Sequence, residues 1–260
     1  MKTKLIFIIV ALSFMSCIGD LDVTNKSAVS SKSMWKEEGD AKAAMYGLYN
    51  QFRSTFSYGY FTWGEYRTGL WGDGLTGQTS RDQVYQNQIP TNHYFSDWTE
   101  LYTTINDANL LIKKVPIIHF NSENTKNEVL SNAYFVRAFC YYWIGRIWGD
   151  APLLLEGYES DSQEGLYPQR TSAERIFEQI GNDIDKAYKL IPDGIVKNRA
   201  SKASIAMLKA DYDLWMYKVR KSGDNYLQDA TEKIQSVLAN PAYGLENNYA
   251  DIFNDQPNKE

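Results

Sequence analysis

Few residues in this chain stand at spacings that do covalent chemistry. Cleaving a glycosidic bond takes two flanking carboxyl groups, one with a raised pKa. Asp73 with Asp82, or Glu65 with Asp73, would make such a pair, but a chain with 32 acidic residues offers many pairs of that kind. The Gly-x-Ser-x-Gly turn that presents a serine nucleophile is absent from the sequence. His93 and His119 are the only imidazoles, and neither stands at metal-ligand spacing from another His or a Cys. Both read as surface or loop packing, although His93 lies where a loop could bring it to a ligand. Gly72-Asp73-Gly74-Leu75-Thr76-Gly77 has the glycine spacing of a dinucleotide-binding turn. That turn needs a buried strand before it and an apolar helix after it, so that backbone N–H groups meet a pyrophosphate. Here an aromatic-polar stretch precedes the glycines and Gln78-Thr79-Ser80-Arg81-Asp82-Gln83 follows. No catalysis, metal or cofactor is expected, which leaves non-covalent binding.

The segment 54–96 is suited to binding. It carries glycines at 59, 64, 69, 72, 74 and 77 among polar residues, together with Tyr58, Tyr60, Phe61, Trp63, Tyr66, Trp71, Tyr85, Tyr94 and Phe95. Irregular stretches of this length are uncommon unless they are functional or disordered, and disordered segments are poor in aromatics. An ordered loop is the expectation.

Helical patterns surround it. Trp35, Ala41, Met45, Leu48 and Phe52 mark a first helix, Trp35 to Phe52. Asp97 with Glu100 resembles a capping box, followed by Trp98, Leu101, Ile105, Ala108, Leu111 and Ile112 up to Pro116. Thr125 with Glu128 opens a central helix with two apolar stripes: Ala133, Val136, Cys140, Trp143, Ile144 and Ile147 on one face, and Tyr134, Ala138, Tyr141 and Trp148 on another. A helix apolar on two faces is enclosed by other helices. Gly149 and Pro152 end it near Trp148. After a loop at 157–169, Thr171 with Glu174 caps a helix that carries Ile176, Phe177, Ile180, Ile184, Ala187 and Leu190 and stops at Pro192. Further helices run from Ala200 to Val219, with Ala203, Met207 and Ala210 at a close-approach spacing, and from Tyr226 to Leu238. The pattern predicts an all-α fold of tetratricopeptide-like helical pairs with a long ordered aromatic-rich loop.

The 260 residues are 43% hydrophobic, with 19 Tyr, 7 Trp and 11 Phe and a formal charge of −5. One sizeable core is affordable, and an acidic surface argues against a nucleic-acid partner. Residues 1–16 read as a secretory signal, with Lys2 and Lys4, an apolar run from Leu5 to Leu12 too short to span a membrane as a mature helix, and Ser16 before Cys17. If Cys17 is modified, Cys140 is left alone in a helix as a small apolar residue, without a disulfide.

Several segments in order resemble one family. Arg137-Ala138 followed by Trp148-Gly149-Asp150-Ala151-Pro152-Leu153, Trp-x-x-Leu-Tyr-x-x-Ile-x-x-Ala-Asn over Trp98 to Asn109, Arg170 to Pro192 with Asp183 and Ala187, Arg199-Ala200-Ser201-Lys202-Ala203, and Tyr243 to Phe253 are similar to the SusD/RagB surface lipoproteins. The resemblance implies a lipobox with Cys17 as the acylated, palmitate-type anchor, although Phe14 and Met15 depart from the commonest pattern. It implies a polar tether over 17–32, with Asp20 and Asp22 similar to a surface-export signal, and a helical domain over 33–260. It further implies a non-catalytic subunit on the outer membrane, exposed at the surface, that captures a glycan and passes it to a SusC-like TonB-dependent transporter. Family members are commonly about twice this length, so the chain reads as an N-terminal portion holding part of the ligand surface. A sugar site combines flat aromatic faces with amide, carboxylate and guanidinium groups. By position the residues for this are Trp71 as platform and Asp73, Arg81 and Asn87 as hydrogen-bonding groups. Trp71 reads equally as an anchor on the helical core, and Asp73 and Arg81 as solvated or mutually paired charges. Non-glycan cargo such as peptide, or a helical-repeat scaffold for other proteins, are the alternatives. Joint exposure of Trp63, Trp71 and Tyr85 would favour ligand capture, whereas their burial beside an open groove would favour the scaffold.

Overall fold

Of the 260 residues, the computed structural model describes 34–70, 72 and 79–253. The central helix α4 (Glu123–Ile147) is enclosed as its two apolar stripes require, burying Val129, Ala133, Val136, Cys140, Tyr141 and Ile144 among others. Before it come α1 (Glu38–Trp63), α2 (Thr79–Tyr85) and α3 (Thr99–Lys114); after it come α5 (Ala173–Leu190), α6 (Lys202–Lys218) and α7 (Asp224–Leu238). Two short strands, β1 (Ala151–Pro152) and β2 (Arg170–Thr171), pair antiparallel with Ala151 opposite Thr171. Helix α4 packs most extensively on α5, α6 on α7, and α3 on α4, while α1 lies across α3 and α4. These are the expected helical pairs. Gly145 allows a close approach in the α4–α5 seam, because a Cβ there would stand 3.1 Å from the Phe177 ring.

The central helix stops where expected. Trp148 is its C-cap, and Gly149 takes φ +71°, a conformation that glycine adopts without strain. Asp150 then reaches forward, its Oδ1 accepting the Ala173 N–H at 2.8 Å. The first turn of α5 is therefore capped by a carboxylate distant in sequence, and the expected Thr171–Glu174 box does not form. The other N-termini also differ in detail. Ser122 caps α4 by accepting from Thr125 N, so the helix begins before the expected Thr125–Glu128 box, and Glu128 pairs with Arg199 at 2.7 Å. At α3, Asp97 accepts from both Thr99 N and Thr99 Oγ1, at 2.9 and 2.6 Å. Those bonds hold its carboxyl below the usual range, while Glu100 accepts from Gln51 of α1.

The largest departure lies at α1. It continues eleven residues past Phe52 to Trp63, so the first part of the expected loop is helix. The reason is packing: Leu48, Thr55 and Gly59 are buried and Phe52, Phe56 and Trp63 half-buried, so the stripe keeps its helical period through the polar residues. On α6 the buried face is Ile205, Leu208 and Tyr212, whereas Met207 of the expected close-approach stripe is 45% exposed. Cys140 is fully buried, and burial pushes its thiol pKa up, as suits a small apolar core residue. Among the described residues no helix is long and apolar enough to cross a membrane.

Candidate ligand-binding site

Three core-facing polar residues frame one side of the fold. Arg137 of α4 donates from Nε to Asp183 Oδ2 at 2.8 Å, from Nη2 to Asp183 Oδ1 at 2.7 Å, and from Nη1 to Asn109 Oδ1 at 2.8 Å. Arg137 is 4% exposed, and Asp183 of α5 and Asn109 of α3 are buried with it. Gln179 adds a further bond to Asp183 at 2.8 Å. Asn109 spends its amide N–H groups on the carbonyls of Leu154 and Glu156, at 3.0 and 3.1 Å. One network thus fixes three helices and the chain leaving β1. A buried charge pair tolerates this only when each polar atom finds a partner, as here.

A layer of aromatic rings carries the other side. Phe52, Phe56 and Trp63 of α1 meet Phe139 and Trp143 of α4, with Phe56 to Phe139 at 5.1 Å and Trp63 to Trp143 at 6.2 Å between centroids. Trp63 and Trp148 then donate their indole N–H groups to the carbonyls of Phe95 and Ser96, at 3.0 and 3.2 Å. Beside them His93 accepts the Phe95 N–H at Nδ1, which places its own proton on Nε2, donated to Ser80 O at 2.8 Å. The imidazole packs within the loop region as expected, though buried rather than at the surface, and it ties the first turn of α2 to the 93–96 turn. Val84, fully buried, anchors the other end of α2.

On this mount Arg81 is exposed on α2. Asn87 lies just beyond the helix with φ +56°, and its Oδ1 accepts from Arg67 Nε at 2.8 Å. The structure therefore brings Arg67 and Asn87 together, with the Asn87 carbonyl oxygen already engaged. Trp71, Asp73 and Cys17, the expected acylation site, lie outside the described residues. Trp63 serves as an anchor and Tyr85 is half-buried, so those two rings form no open platform. Among the described residues of 54–96 the open rings are Tyr60, Phe61 and, most of all, Tyr94 at 77%. Arg67 and the mounting role of His93 were not foreseen; their partners are fixed by folding rather than by any local motif.

A cleft of about 730 Å³ opens between α3 and the 152–168 segment. One face of α3 builds its wall. Asn106 exchanges two bonds with the Tyr158 backbone at 2.8 and 2.9 Å, Lys113 donates to Gly157 O, and Lys114 pairs with Glu159 at 2.8 Å. Only glycine fits at 157, because a Cβ would stand 2.8 Å from the Leu110 backbone nitrogen. The signal was present as amides and lysines at three- and four-residue spacing, 106, 109, 113, along a face that an isolated helix would leave to water.

A family model, SusD-like_3, described as starch-binding and associating with the outer membrane, matches residues 22–210. SusD-like protein P38 of Formosa agariphila is 28% identical over 249 residues, 94% of this chain and 47% of that protein. SusD-like protein P2 of the same organism is 29% identical over 266 residues, covering 97% and 50%. Among solved structures, B. fragilis NanU superposes with a TM-score of 0.79 at 26% identity, over 89% of this chain and 47% of that one. A laminarin-binding SusD-like protein shares the fold at TM-score 0.68 and 21% identity, over 84% and 48%. The chain spans about half the length of the relatives it matches. The matched span takes in α1 to α5 and the framework that joins them, and the chain belongs to the SusD-like family.

Proposed function

We propose that this chain captures a glycan at the cell surface and passes it to a SusC-like TonB-dependent outer-membrane transporter, without itself doing covalent chemistry. The observation that carries this reading is the family match over residues 22–210, whose description joins starch binding to the outer membrane. Of the residues in this reading, Arg81 lies exposed on α2 and Asn87 just past it, and α2 is tied to the 93–96 turn by His93. In this reading residues 1–16 are a leader, Cys17 carries acyl chains, 17–32 is a tether and the helical domain follows from residue 33. Trp71 stacks on a pyranose ring, while Asp73, Arg81 and the Asn87 amide N–H groups meet hydroxyls.

Affinity electrophoresis against a polysaccharide panel, followed by calorimetry on the best ligand, tests the binding. Trp71→Ala should weaken it by about fivefold or more, the value of roughly 1 kcal/mol of ring stacking. A ligand that binds Trp71→Ala and Arg81→Ala as it binds the parent removes these residues from the site. A chain that retards on no polysaccharide overturns the glycan reading. For the anchor, an alkyne fatty acid should label the parent and not Cys17→Ser; equal labelling of both would refute acylation there.

A further inference from the structure

We infer that the cleft between α3 and the 152–168 segment is a second sugar-binding site, selective for uncharged glycans over acidic ones. The inference rests on the glycan reading above and adds a place and a charge class to it. Its walls are built rather than incidental: Asn106 and Asn109, which line it, spend polar groups on the 154–158 backbone, Lys113 outside the lining donates to Gly157 O, and Gly157 closes against α3 where no other residue fits. About 730 Å³ is ample for a bound oligosaccharide segment. Trp98 and Tyr102 line the cleft with centroids 5.7 Å apart, edge to face, and Tyr158 and Tyr167 line it from the 152–168 segment.

The polar tips of these rings are divided in a way that suits a pyranose. Tyr102 donates its hydroxyl to Pro152 O at 2.6 Å and Tyr158 to Gly165 O at 2.8 Å, so what they offer a ligand is apolar ring surface. Tyr167, 84% exposed, has no hydrogen-bond partner among the described residues, nor has the neighbouring carboxylate of Asp161. A sugar ring has one face of C–H groups for the former kind of surface and hydroxyl donors around its edge for the latter.

The charge class follows from the same lining. Glu159 and Asp161 line the cleft and no lysine or arginine does, among the described residues. Lys114 pairs with Glu159 from α3, and Arg170 lies over the Trp98 ring at 5.1 Å while donating to Asp150 O. Asp161 is the lining carboxylate without an ion pair among the described residues and opposes a uronate or sulfate on the 152–168 side of the cleft, while Arg170, which has no carboxylate partner among them either, stands at the Trp98 side.

Calorimetry of the 260-residue chain with maltohexaose, laminarihexaose and xylohexaose, and with hexagalacturonate as the acidic counterpart, tests this. At least one neutral ligand should bind, Tyr167→Ala should weaken it about fivefold or more, and Tyr167→Phe, which keeps the ring and loses the hydroxyl, should weaken it measurably but less than Tyr167→Ala. Asp161→Lys should narrow the gap between neutral and acidic ligands. Tyr167 and Asp161 are exposed, so both variants should keep the parent circular dichroism. Neutral binding that ignores Tyr167→Ala but falls with Arg81→Ala overturns the second site and leaves the glycan reading standing. Hexagalacturonate binding as tightly as the neutral ligands overturns the charge assignment. No binding by any oligosaccharide overturns the inference and the reading beneath it together.

Discussion

Removing Asp183 should be among the most damaging single changes in the chain. Its carboxylate accepts two bonds from Arg137 and one from Gln179, all at 2.7 to 2.8 Å, in a place closed to water. Asp183→Ala leaves the Arg137 guanidinium buried with Asn109 as its remaining acceptor, and an orphaned buried charge costs about 3–5 kcal/mol. That is a large share of the 5–15 kcal/mol typical of a folded domain. Replacing both partners, as in Arg137→Met with Asp183→Leu, removes the charge along with its solvation cost and should be far milder than Asp183→Ala alone. Urea unfolding of parent, both single variants and the double variant, at low and high NaCl, measures this. The expected pattern is a large loss in Asp183→Ala, a smaller one in the double variant, and little salt dependence, because a pair shielded from solvent is poorly screened. A loss in Asp183→Ala below about 1 kcal/mol, the range of an exposed pair, would refute the view that this network holds α3, α4 and α5 together.

Two glycines of α1 should respond oppositely to the same change. Gly47→Ala meets no atom within 4 Å and should stabilise by about 0.5–1 kcal/mol, whereas Gly59→Ala puts a Cβ 2.6 Å from the Trp63 ring. That ring is held by Phe95 O, so Gly59→Ala should lower the melting temperature and shift the tryptophan fluorescence; equal effects at both sites would contradict the packing. Asp97 stabilises α3 as a carboxylate whose pKa is lowered by the Thr99 hydroxyl and N–H bonds. Its contribution is therefore full above the unfolded value near 4 and is lost as pH falls through the lowered folded value. The melting-temperature gap between parent and Asp97→Asn should be open at pH 7 and close at the acid end, and a gap independent of pH would refute the assignment. Cys140, fully buried with its thiol pKa raised by burial, should react with a thiol reagent only at the rate of unfolding, and immediate labelling of native protein in a Cys17→Ser background would contradict its burial.

Much of the helical frame was legible in the order of residues. The apolar periods of α3, α4 and α5 and the stops at Gly149 and near Pro192 are short-range properties, set by side-chain direction along a helix and by the backbone limits of glycine and proline. The two-faced pattern of α4 also placed it inside the bundle, because such a helix has no side to give to water. What remained hidden depends on partners distant along the chain. Thr55 and Gly59 do not look like core residues until Thr104 hydrogen-bonds one and Trp63 covers the other, so the end of α1 read as loop. The α5 cap comes from Asp150, 23 residues before Ala173, and could not be found by searching for a local box. Arg137, Asp183 and Asn109 each look like a polar interruption in an apolar stripe, and only when α3, α4 and α5 are brought together do they satisfy one another. The sequence by itself determined which segments are helices and which faces are apolar. The tertiary structure decided which polar groups meet, because hydrogen bonds and ion pairs act over a few ångströms and only folding makes distant residues neighbours.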